Sequence, residues 1–141
     1  MTETATLEQL NKLLEGEISA NETYAKAIEK MDDQSIKSIL QQNYECHSAR
    51  VQELTEAVKK LNGTPAKGSG VWGALANLLE SGATLLGGKA MIAVLEEGED
   101  KGVADYKAMI EKVGSSSFMS DLLAKQEQTH RRCADLKKSL A

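Results

Sequence analysis

The stretch 10-LNKLLEGEISANETYAKAI-28 decides how the rest of the chain is read. It has no proline. Leu7 just before it, then Leu10, Leu14, Ile18, Ala25 and Ile28, recur at the three-and-four spacing of one helix face. Asn21 falls in the middle of that stripe, with Glu17 and Tyr24 on one flank and Glu22 on the other. An amphipathic helix that places acids along its apolar stripe expects partners for them, because burying an unpaired charge is costly.

The same period returns three more times. Ile36, Leu40, His47, Val51, Leu54, Val58 and Leu61 predict a second helix over about 35–61. Ile92, Leu95, Val103, Tyr106 and Ile110 predict a third over about 88–113, and Leu123, His130, Ala134 and Leu140 a fourth over about 118–140. The first is predicted over about 6–31, with Thr6 and Gln9 as a capping box. Asp33 or Ser35 is the expected cap of the second helix, and Ser116 or Ser117 that of the fourth. Asn62, Gly63 and Pro65 in "LNGTP" stop the second helix, and Gly114 ends the third.

The glycine-rich stretch 62–87 is too apolar for a solvated tether. It reads as a long crossover carrying a short helix, about 71–80, with Trp72, Leu75, Leu78 and Leu79 facing inward. The expectation is one all-α domain spanning residues 1–141, an up-and-down four-helix bundle of two helical hairpins joined by that crossover.

Composition narrows the function. The chain has 141 residues, a net charge of −4 and no basic stripe, which argues against a nucleic-acid partner. No uncharged run is long enough to span a bilayer and no signal peptide opens the chain, so a cytoplasmic protein without a membrane role is expected. Two cysteines, Cys46 and Cys133, fit reduced thiols better than a disulfide framework or a zinc thiolate site.

The polar residues on the apolar stripes carry the functional expectation. Counted from the turn of its own hairpin, Glu17 lies level with His47, and Glu99 level with His130. Glu127 shares a face with His130 three residues later. Glu17, His47, Glu99, Glu127 and His130 are therefore expected in one layer, as ligands of a divalent metal, with Tyr44, Asn21 and Glu22 as second-tier candidates. Carboxylates with imidazoles suit iron, manganese or zinc, iron and manganese ahead of zinc. The bland reading is a polar core of hydrogen-bonded histidines.

Three segments resemble known proteins. "LNKLLEGEISANETY" resembles the first helix of bacterioferritin, with Glu17 at its metal ligand and Tyr24 at its tyrosine. "YECHSARVQEL" is similar to the second helix, with His47 at its histidine, and "KQEQTHRR" to the Glu-x-x-His helix through Glu127 and His130. Closer still is a bacterial family of ferritin-like four-helix domains of unknown function, which the chain resembles in "LNGTP", the Trp-bearing crossover and "LEEGEDKGVADYKAMI". The resemblance implies a ferritin-like fold, a core metal with oxidase or peroxide chemistry, and a homo-oligomer, a dimer first. The chain departs from it at Tyr44, where the bridging Glu of a di-iron site would stand, and at Glu45, where a haem-binding methionine would stand. No haem is expected. The alternative expectation is a degenerate, metal-free bundle serving as a stress-response or protein-interaction module.

Overall fold

The computed structural model describes residues 3–68, 70–81 and 88–140. Among them the chain is all-α: α1 (Glu3–Lys30), α2 (Gln34–Lys60), α3 (Gly73–Ser81), α4 (Lys89–Val113) and α5 (Ser117–Ser139), with no strand. No described helix is long and apolar enough to cross a membrane. The part of the expected crossover at 82–87 lies outside the described residues.

Local chemistry sets the ends. Asp33 caps α2, its carboxylate accepting the Ile36 amide at 3.0 Å, so Asp33 rather than Ser35 is the cap. Asn62 takes the left-handed conformation (φ 61°) just past α2, and the next amide, from Gly63, returns to the Val58 carbonyl at 3.0 Å. Ser116 caps α5 by accepting the Met119 amide at 3.1 Å, and Gly114, at φ 89°, follows α4. Thr6, the expected cap of the first helix, lies inside α1, which already begins at Glu3.

Helices α1 and α2 pack together, as do α4 and α5, and the two pairs meet through α1 with α4 and α2 with α5. Each contact is antiparallel. Tyr24 meets Asn43 while Glu17 meets His47, and Tyr24 meets Glu99 while Glu17 meets Tyr106. Asn43 meets Thr129 while Arg50 meets Gln126, and Glu96 meets Lys137 while Glu99 meets Thr129. Helix α3 packs on α4, with Leu75 fully buried and Trp72, Leu78 and Leu79 partly so.

The core is not one apolar body. One cluster, including Met31, Ile36, Leu40, Ile92 and Leu136, fills the end near the α1–α2 turn. A second, including Leu10, Leu14, Leu54, Val58 and Leu122, fills the end near the α4–α5 turn. Between them lie buried Glu17, Asn43, His47, Arg50, Glu99, Gln126 and Thr129.

Candidate functional site: a buried ion network

Each helix delivers its polar groups by continuing the heptad spacing of its core face. On α2 the buried positions are Ile36, Leu40, Asn43, His47, Arg50, Leu54 and Val58, alternating mostly by four and three. On α5 they are Met119, Leu122, Gln126, Thr129, Cys133 and Leu136. That face is one residue out of step with the expected face of Leu123, Glu127, His130 and Ala134, a rotation of about 100°.

The structure therefore brings together three of the five expected ligands and separates two. Glu17, His47 and Glu99 meet at the centre. His47 Nδ1 lies 2.5 Å from Glu17 Oε1 and its Nε2 2.7 Å from Glu99 Oε2. Glu127 is half-buried and outside the network, and His130 lies on the outer seam of α4 and α5, paired with Asp100. The second-tier residues stay out as well. Asn21 bonds Ser48 and the Tyr44 carbonyl, Tyr44 is half-buried, and Glu22 is exposed.

Arg50 was not expected here. It is fully buried, and its Nε donates to Glu17 Oε2 at 2.6 Å while one terminal nitrogen donates to Gln126 Oε1 at 2.8 Å. Its signal in the sequence is the spacing His47, Arg50, Leu54, which the apolar neighbour Val51 obscures. Gln126 and Thr129 are masked in the sequence by their neighbours Glu127 and His130, which match the Glu-x-x-His spacing.

The donors are shared unevenly between the two acids. Glu99 accepts from four side chains: Tyr24 at 2.6 Å, His47 at 2.7 Å, Gln126 at 2.8 Å and Thr129 at 2.7 Å. Glu17 accepts from three: His47, Arg50 and, at 2.5 Å, Tyr106. Tyr24 also receives a bond from Asn43 at 3.1 Å and meets Cys133 Sγ at 2.9 Å. Among the described residues no buried side-chain nitrogen or oxygen lacks a partner.

Burial opposes every charge in this layer, and the charges overcome it by facing one another. Desolvation pushes Glu17 up, but the charge and hydrogen bond of His47, with Arg50, hold it at about 2. Desolvation pushes His47 down, but Glu17 and Glu99 lift it to about 9. Glu99 is lowered against its own burial, chiefly by His47. With its value lifted to about 9, His47 carries charge at neutral pH, its ring nitrogens facing Glu17 and Glu99, and Arg50 Nη2 stands 2.7 Å from His47 Nδ1, so the guanidinium and Glu17 converge on that nitrogen. Two anions balance two cations. Burial, with Glu99 beside it, pushes the Cys133 thiol up to about 12.

This donor set does not fit the two-metal centre that the bacterioferritin resemblance implies. A guanidinium has no lone pair to give. Arg50 already neutralises Glu17, both nitrogens of His47 are engaged, and Gln126 and Thr129 hold the place of the Glu-x-x-His pair.

Beside the network a cleft of about 520 Å³ opens between α1 and α4. Glu17, His47, Tyr106 and Gln126 form its floor. Gly16, Gly98 and Gly102 keep its walls low, and Trp72 lies at its edge, packed where a Gly98 side chain would stand.

Residues 5–112 match the family model described as Domain of unknown function (DUF2383). The chain belongs to this family. No curated protein and no solved structure matches it. The DUF2383 segment supplies Glu17, His47, Arg50 and Glu99, whereas Gln126 and Thr129 on α5 lie beyond the matched residues.

Proposed function

We propose that this protein is a ferritin-like four-helix bundle working as a metal-independent binding module rather than a metal oxidase. Pairwise packing supports the bundle. With every neighbouring pair antiparallel, α2 and α4 run the same way, which needs one long connection, as in ferritin-like folds. The observation that carries the functional reading is Arg50, a permanent cation inside the carboxylate layer, bonded to Glu17. A pocket of several hundred cubic ångströms lined by groups of shifted pKa is the default binding site of such a molecule.

The test is anaerobic titration with iron(II), then manganese(II), reading metal stoichiometry and the ring resonance of His47. Neither ion should move that resonance. Stoichiometric iron that disappears in His47→Gln and survives in His130→Ala would overturn the reading.

A second reading keeps a divalent metal at another place. Glu96, Asp100 and His130 bring three donor atoms within 4.8 Å of one another on the α4–α5 seam. One imidazole with two carboxylates suits zinc or manganese, with water completing the shell. Zinc binding that shifts His130 alone and vanishes in His130→Ala would establish it.

A further inference from the structure

We infer that the α1–α4 cleft takes a neutral, hydroxyl-bearing molecule with an apolar body, its hydroxyl donating to Glu17. The inference rests on the metal-independent reading, because Glu17 is free to accept only if no ion holds it.

The argument begins with lone pairs. A carboxylate offers about four acceptor directions. Glu99 meets four side-chain donors and is fully buried, so it is closed. Glu17 meets three among the described residues and retains 4% exposure at the cleft floor. Its Oε2 serves Arg50 and Tyr106, whereas Oε1 serves His47 alone. The direction left over belongs to Oε1, and only a donor can use it.

Charge then selects among donors. Behind Glu17 stand His47 and Arg50, which cancel the two buried acids. The rim carries Lys12, Lys101 and Lys112 against Glu15 and Asp105, and Lys101 is paired with Asp105 at 2.8 Å. An ammonium would meet a rim of net positive charge. A carboxylate has no proton to give and would face Glu17. A hydroxyl donates without adding charge. The walls supply the rest of the preference: Leu13, Ala20, Ala108 and Trp72 offer apolar surface, and 520 Å³ lies within the range for small-molecule sites.

Trp72 is the chain's single tryptophan, so its emission reports on this cleft. Four cyclohexyl probes differ in one group each: cyclohexanol, its methyl ether, cyclohexylammonium and cyclohexanecarboxylate. Chelator-treated protein should show a saturable change in Trp72 emission with cyclohexanol. The ether and the carboxylate should each bind on the order of tenfold more weakly, the loss of one hydrogen bond to a charged acceptor, and the ammonium, which keeps a donor, should bind more weakly because it meets the net positive rim. Gly16→Leu should abolish the change without lowering the melting temperature, since a β-carbon at Gly16 meets no atom within 4 Å. No saturation with cyclohexanol, an equal response to the ether or the ammonium, or an unaltered response in Gly16→Leu would overturn the inference. Because chelator is present throughout, such a failure leaves the metal-independent reading standing; that reading fails only in the iron titration.

Discussion

His47 is the residue on which the polar layer turns. Among the described residues it is the one group that bonds both buried acids, which lift its value to about 9. Its ordinary value is 6.5 and the folded value about 9, so the stability it contributes is fully present below pH 6.5 and lost as pH rises through 9. Glu17 works with the opposite sign. Its ordinary value is 4.5 and the folded value about 2, so its contribution is present above pH 4.5 and lost as pH falls through 2. Urea unfolding at closely spaced pH values should therefore show a plateau between about 4.5 and 6.5 and a decline above it. His47→Gln should flatten the decline on the alkaline side. A wild-type profile that is flat between pH 7 and 9 would mean that the imidazole is not held above its ordinary value in the folded protein.

At the level of the helix, what the sequence discloses depends on which seam is followed. Helix existence was plain, because apolar residues recur at helical spacing and Asp33, Asn62, Gly114 and Ser116 punctuate them. The level shared by Glu17, His47 and Glu99 was legible too, from rise per residue alone. Rotation was not. On α5 two adjacent faces are almost equally apolar, and the Glu127–His130 pair drew attention to the wrong one. Strict alternation by three and four through Leu122, Gln126, Thr129, Cys133 and Leu136 marks the buried face instead. The cost of packing that face closely shows at Gly102, where a β-carbon would stand 2.3 Å from Gln126 Nε2. Gly102→Ala gains about 1 kcal/mol of helix propensity but forces Gln126 off Glu99. Overpacking of this kind costs roughly 1–3 kcal/mol, so the net effect should be destabilising. Gly16→Ala, at an exposed mid-helix position open to solvent, should stabilise by about 0.5–1 kcal/mol. Thermal melts of the two variants should move in opposite directions.

For the molecule as a whole, the ion network links what the two apolar clusters leave separate. Glu99 on α4 is bonded to α1 through Tyr24, to α2 through His47 and to α5 through Gln126 and Thr129. A buried ionic layer is weak evidence of net stability, because desolvation offsets most of the attraction. Its effect appears when it is broken. Arg50→Met leaves Glu17 buried against a missing cation and should cost roughly 3–5 kcal/mol. Adding Glu17→Gln removes the orphaned charge. The double variant should then be less destabilised than the sum of the singles by roughly 0.5–3 kcal/mol, measured by urea unfolding around a double-mutant cycle. Strict additivity would mean that Glu17 and Arg50 do not sense each other, and the balance of two anions against two cations would not hold. The unfolding transition itself should remain single in wild type. A layer that joins α1, α2, α4 and α5 through shared hydrogen bonds gives neither hairpin a way to leave without stranding the other's charges.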